Sequence, residues 1–115
     1  MFKLRNVGMK FLVKEEEKLV IAFVDFQVIN TEDKRIVSSF TTHALARCSE
    51  DDIFTEKIGK QVARAKAEKK GYIRFYNMMQ LYLNKLMNLE KSVRQCIHKD
   101  IQCIEHQDEY IKNNF

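Results

Sequence analysis

Residues 46–71, ARCSEDDIFTEKIGKQVARAKAEKKG, bring together several kinds of side chain that could do chemistry: a thiol at Cys48, carboxylates at Glu50, Asp51 and Asp52, then a run of lysine and arginine. Paired-carboxylate catalysis needs two acids facing one reacting atom from defined sides. Glu50, Asp51 and Asp52 are adjacent and read instead as a solvated turn. His43 lies five residues before Cys48. That odd spacing puts the two on opposite faces of a strand, which argues against a Cys–His nucleophile pair.

Metal chemistry has four candidate ligands, Cys96, His98, Cys103 and His106. On a helix Cys103 and His106 share a face, but Cys96 lies about 10 Å from Cys103. Zinc ligands sit about 2.0–2.3 Å from the ion, so one helix cannot bring both thiols to it. The three cysteines, Cys48, Cys96 and Cys103, are odd in number and lack C-x-x-C spacing, so no disulfide framework is expected. They read as small apolar residues facing a core. No catalytic constellation, cofactor or metal site is expected, and the chain reads as a non-enzyme.

The basic run carries more information. Lys57, Lys60, Arg64, Lys66, Lys69, Lys70 and Arg74 stand against Glu68 alone, a net of +6 in a chain whose total is +4. A local positive patch suits an anionic partner. Tyr72, Phe75 and Tyr76 lie beside it. Guanidinium and ammonium groups suit phosphates, and rings suit a base. Lys60, Arg64, Lys70, Arg74 and Tyr76 are therefore the expected ligand or phosphate site. A nucleic acid laid along the same segment is the alternative.

The elements that must position these residues fall into two halves. The chain has 115 residues, 45% of them hydrophobic and 31% charged, with no Pro and no Trp. That is an ordinary globular composition of one domain's size. A single domain over 1–115 is expected, with a sheet part over 1–48 and a helical part over 52–113. The apolar run from Leu19 to Phe26 is broken by Asp25, so no membrane span is expected. The first five residues lack the apolar core of a signal peptide, and a cytoplasmic location follows as the expectation.

Phe2 to Val13 is a strand candidate with Gly8 as a bend or bulge. Leu19 to Ile29 alternates in its outer part, with Val24, Phe26 and Val28 on one face and Asp25 and Gln27 on the other. Arg35 to Cys48 is a third candidate. Short polar turns at 15–18 and 30–35 favour an antiparallel meander. From Thr55 to Lys69 helix formers dominate. Asp52 or Thr55 is the expected cap, Phe54 the staple, and Ile58, Val62 and Ala65 the core-facing stripe. Gly59, unfavourable by about 1 kcal/mol inside a helix, points to close approach of the helix to the sheet or to a ligand. Gly71 after a basic turn reads as a helix stop. A second helix over 72–111 is expected, with Ser92 and Gln95 as a candidate capping box that would divide it.

Counting by sevens from Phe75 gives Tyr82, Leu89, Cys96, Cys103 and Tyr110. The neighbouring rows supply Met79, Leu86, Val93, Ile97 and Ile104, so this helix carries one broad apolar face. About 40 helical residues extend roughly 60 Å, far beyond the about 13 Å radius of gyration of a domain this size. A homo-oligomer is therefore expected, with Phe75, Tyr82, Leu86, Leu89, Val93, Ile97 and Ile104 in its interface. The fold class is α+β: an N-terminal antiparallel sheet, a medium helix and a long C-terminal helix that oligomerises.

The pattern A-x-C-S-x-x-D-x-F-x-x-x-I-G-x-x-V-A-x-x-K-A, from Ala46 to Ala67, resembles a strand-to-helix motif of small bacteriophage proteins. It departs from that motif with Glu50 where Pro is common and Lys66 where Arg is common. In layout the chain is similar to the phage Thoeris anti-defence sponges. The resemblance implies a counter-defence protein of the host bacterial cytosol that sequesters a cyclic ADP-ribose type signal without turning it over. None of that group's ligand residues is carried over. A nucleic-acid-binding accessory protein and a protein–protein inhibitor of a host or defence enzyme are the other two readings.

Overall fold

The computed structural model describes residues 1–49 and 53–114. Three strands and one helix follow in order: β1 (Phe2–Lys14), β2 (Leu19–Asn30), β3 (Ile36–Arg47) and α1 (Glu56–Asn113). The backbone divides into two units, Met1–Asn77 and Met78–Phe115.

In the first unit the strands form one antiparallel sheet in the order β1-β2-β3. The alternation read from β2 holds. Val20, Ala22, Val24, Phe26 and Val28 are buried, while Asp25 and Gln27 lie half-buried on the other face. Phe40, Ala44 and Ala46 of β3 join them in the core. Two irregularities break the ladders. Val7 is the extra residue between the Asn6↔Phe26 and Gly8↔Asp25 pairs, and the Gly8 N–H donates to the Asn6 side-chain oxygen at 3.3 Å. Val37 is the extra residue between Val28↔Ser38 and Ile29↔Ile36.

The first turns of α1 cover the inner face of this sheet. Thr55 holds the cap position, since its carbonyl accepts the Gly59 N–H at 2.9 Å. The other expected cap, Asp52, lies outside the described residues, as do Glu50 and Asp51. Phe54 packs beside Gly59 at the start of α1, but Gly59 has no side chain to complete the apolar pair of a staple. The sheet-facing row is Gly59, Ala63, Ala67 and Gly71, spaced four apart. This corrects the expected stripe: Ile58 is 58% exposed and Val62 42%. The sheet fills the volume with Val20, Phe26 and Phe40, so the helix presents small residues. The Thr42 hydroxyl, buried, donates to the Ala67 carbonyl at 2.7 Å and ties β3 to the helix.

The expectation of two helices is also corrected. α1 is continuous through Gly71 and through 88–95. Gly71 has no positive φ, so it does not form the left-handed stop of a helix end. It is buried against Phe26, whose ring a methyl group on Gly71 would overlap. Gly59 has the same role more gently: a methyl there would lie 2.8 Å from Val20 Cγ2. Both glycines allow close approach of helix and sheet.

In the second unit α1 runs on from residue 78 to Asn113, about 54 Å of helix at 1.5 Å per residue. No described residue from 78 to 114 is buried. Leu86, Leu89, Val93, Ile97 and Ile104 of the expected interface are all exposed, and Tyr82 is half-buried. Cys96 and Cys103 are exposed as well, which corrects their placement in a core.

Candidate functional site

The expected basic site comes from the sheet-covering part of α1, and the structure places its members on both flanks of the helix. Lys60 pairs with Glu56 at 3.0 Å and lies 5.5 Å from the centre of the Phe11 ring on β1. Lys70 is on the β3 side, where its ammonium donates to the His43 carbonyl at 2.7 Å. Lys66 donates to the Leu45 carbonyl at 3.3 Å. Arg74 stacks over Phe40, 4.4 Å from the ring centre. Phe75, the first of the expected interface residues, is half-buried.

β3 is an edge strand, and its open side carries a row of unpaired backbone groups. Lys66 and Lys70 occupy two of its carbonyls. An edge guarded by lysine is a poor template for a further strand. These two cations thus have a structural use that the sequence pattern did not suggest.

Arg64, Glu68, Tyr72 and Tyr76, spaced four apart, form a ridge on α1. The Arg64 Nε donates to Glu68 Oε1 at 2.6 Å, and the Tyr72 hydroxyl donates to Glu68 Oε2 at 3.2 Å. Tyr72 stands edge-on to Phe26 with ring centres 6.3 Å apart. Its phenol is pushed above the ordinary 10.0, first by desolvation, then by the hydrogen bond to Glu68 and that carboxylate's charge, while Arg64 pulls the other way. Tyr72 and Tyr76 are 57% and 60% exposed. On this ridge Arg64 and the exposed Tyr72 ring meet through Glu68, while Tyr76 stands a further turn along, about 18 Å from Arg64 by helix rise.

Where β3 leads to α1, Ala46, Cys48, Phe54, Ile58 and Val62 help line a groove of about 260 Å³. Its lining is apolar apart from Arg47, Cys48 and Thr55. Cys48 is half-buried there, and His43 is exposed on the outer sheet face. Among the described residues no three His, Cys, Asp or Glu side chains come together as metal ligands. No helix is long and apolar enough to cross a membrane among those residues.

The outer face of the sheet carries a second set of cations that the strand pattern of β1 does not reveal. Nothing in the first unit's helix covers it. Lys3, Arg5, Lys10 and Lys14 of β1 lie along it, with Phe23 and His43 on the neighbouring strands. The signal was present as alternating cations on either side of Gly8, but its parity changes there. Only the bulge brings both pairs to one face.

Set against protein-family models, curated proteins and solved structures, the chain finds no match in any of the three.

Proposed function

We propose that the protein is a non-enzymatic binding protein that works as a homo-oligomer assembled on α1 and sequesters an anionic, nucleotide-like ligand. This is the counter-defence role implied by the resemblance to the sponge proteins. The observation that carries the reading is the exposed apolar row of α1: Leu86, Leu89, Val93 and Ile97 recur at spacings of three and four and continue the half-buried Met79 and Tyr82. Helices in water draw most of their stability from packing an apolar face, and this spacing is what a partner helix fills. From residue 78 onward positive and negative side chains are equal, five of each, so copies meet there without net repulsion. The chain's net charge of +4 lies wholly in residues 1–77, where an anion would bind.

The ligand reading rests on Arg64 and Tyr72, with Tyr76 next along the same ridge. A ring exposed near a guanidinium can stack a base while the cation meets a phosphate. Arg64 is engaged by Glu68, so a phosphate there would compete with that carboxylate.

Native mass spectrometry of freshly purified protein tests both parts. The expected result is a dimer or larger species carrying extra mass of nucleotide size, released on denaturation. Leu89→Glu with Ile97→Glu is expected to give monomer. Wild-type protein that stays monomeric at every concentration refutes the assembly. A bare oligomer that also fails to retain added cyclic ADP-ribose type nucleotide refutes the ligand.

A further inference from the structure

We infer that the outer face of the sheet binds single-stranded nucleic acid, with the sugar–phosphate chain along β1 and bases over Phe23 and His43. This goes beyond the preceding reading and uses a different surface from the α1 ridge.

The bulge in β1 decides which cations share a face. In a regular strand, residues 3 and 5 point to the opposite face from residues 10 and 14. Val7 is the extra residue between Asn6 and Gly8 and resets the alternation. Lys3 then pairs with Ile29, Arg5 with Gln27, Lys10 with Phe23 and Lys14 with Leu19. All four partners are odd-numbered residues of β2, whose even-numbered residues from Val20 to Val28 face the core; Ile29, Gln27 and Phe23 are half-buried, while Leu19 at the strand end is itself buried. The four cations therefore lie along one face of one strand. Lys3 and Arg5 are alternate residues, about 6.6 Å apart, while Gly8 and Leu12 space the next cations on this face by about 13 Å each. The Asp25 carboxylate lies against Gly8 in the first of these gaps, so an extended chain would meet cations on either side of it. The Arg5 guanidinium is held in the face by donating to the Gln27 side-chain oxygen at 2.7 Å.

Two rings lie beside these cations. Lys10, Phe23 and His43 are cross-strand neighbours in one row. The Phe23 and His43 ring centres are 6.0 Å apart with planes tilted by 33°. Phe23 is half-buried and His43 exposed. Cations on one strand beside rings on the next two form the platform on which unpaired bases stack. The rows toward the Lys3 end add the Ser39 hydroxyl and the Gln27 amide nitrogen, groups that can meet base edges. A duplex keeps its base faces inside and cannot use the rings.

Charge selects this occupant over a second copy of the chain. Asp25 is the one acid among the outward strand positions, and the Thr41 hydroxyl already donates to it at 2.6 Å. The outward positions of β3 carry Arg47 and no acid. Two such faces laid together would set cations against cations with almost no carboxylate to answer them. Glu15, Glu16 and Glu17 occupy the turn beyond Lys14. They bound the site at that end, so the chain is expected to run from Lys10 toward Lys3.

The test is fluorescence anisotropy with labelled oligo(dT), oligo(rU) and a duplex of about 12 nucleotides, a length within single-strand site sizes, measured over a series of salt concentrations. Wild-type protein is expected to bind the single strands and to prefer them to the duplex. Arg5→Ala with Lys10→Ala is expected to weaken binding and to lower the slope of log K against log salt by about 1.4, two phosphates at about 0.7 each. Phe23→Leu with His43→Ala is expected to weaken binding at least about fivefold with the slope unchanged. Arg5→Lys with Lys10→Arg keeps the charge and is expected to retain binding, and circular dichroism checks that each variant folds. The inference is overturned if neither single strand binds or if the duplex binds equally well. It is also overturned if the sheet variants bind like wild type while Lys60→Ala with Arg64→Ala abolishes binding. A change of oligomeric state in the Arg5/Lys10 variant without loss of nucleic-acid binding would assign the face to self-association instead.

Discussion

Gly71→Ala is the perturbation that separates the two roles a glycine can have inside this helix. In an ordinary interior position the change favours the helix by about 1 kcal/mol. Here the new methyl would overlap three atoms of the Phe26 ring. Phe26 is only 2% exposed. It is stacked on Phe40 with centres 5.4 Å apart and flanked by Tyr72 at 6.3 Å, so the ring has little room to turn away. Overpacking of a tight core costs about 1–3 kcal/mol, and an overlap with three ring atoms belongs at the upper end. The expected net loss is about 2 kcal/mol. At about 4–8 °C per kcal/mol for a domain of this size, the melting point should fall by roughly 8–16 °C. Urea unfolding at fixed protein concentration measures it, followed by far-ultraviolet and near-ultraviolet circular dichroism, the second reporting the rings. Phe26→Leu makes room for the methyl. The double variant should therefore be more stable than the sum of the single changes predicts, with a coupling of about 1 kcal/mol or more. A Gly71→Ala protein as stable as wild type would refute the close-approach argument. A loss that Phe26→Leu does not relieve would refute it too, by pointing to the backbone.

Three further outcomes are expected. Thr42→Val removes the buried hydrogen bond to the Ala67 carbonyl while keeping the shape, and should lower stability by about 1 kcal/mol in the same urea assay. Lys66→Ala with Lys70→Ala uncovers the two edge carbonyls of β3, and should raise the rate of thioflavin-positive aggregation at unchanged secondary structure. Tyr72 has a raised folded pKa, so the folded state holds its proton more tightly than the unfolded state does. Its stabilising contribution is present below the ordinary phenol value and is lost as pH rises through the raised one. A urea midpoint series through the alkaline range should show that decline, and Tyr72→Phe should flatten it.

Some of this architecture is written locally in the chain. The alternation of Val24, Phe26 and Val28 against Asp25 and Gln27 marks β2 and its buried face, because successive side chains of a strand point to opposite sides. The polar turns at 15–18 and 30–35 and the helix formers after Thr55 mark the remaining elements for the same kind of reason. The apolar rows of residues 75–111 are equally legible, since helical neighbours three and four apart share a face. Gly71 is different. A helix stop and a close approach to a sheet both call for a missing side chain, and the basic turn before Gly71 fits either. The choice is made by Phe26, distant in sequence, which occupies the space a methyl would need. The helix cations are another case. Lys60, Lys70 and Arg74 look like one cluster along the chain, yet Phe11, the His43 carbonyl and Phe40 draw them to opposite flanks of α1.

What the sequence determined by itself is therefore three strands followed by a helical half, the buried face of β2 and the apolar rows of residues 75–111. What only the tertiary structure decided is where those faces point and what fills the space between them. Val7 shows the reason most plainly. A bulge is a mismatch between two paired strands, so the parity of Lys3 and Arg5 relative to Lys10 and Lys14 is set by the partner β2 and not by β1.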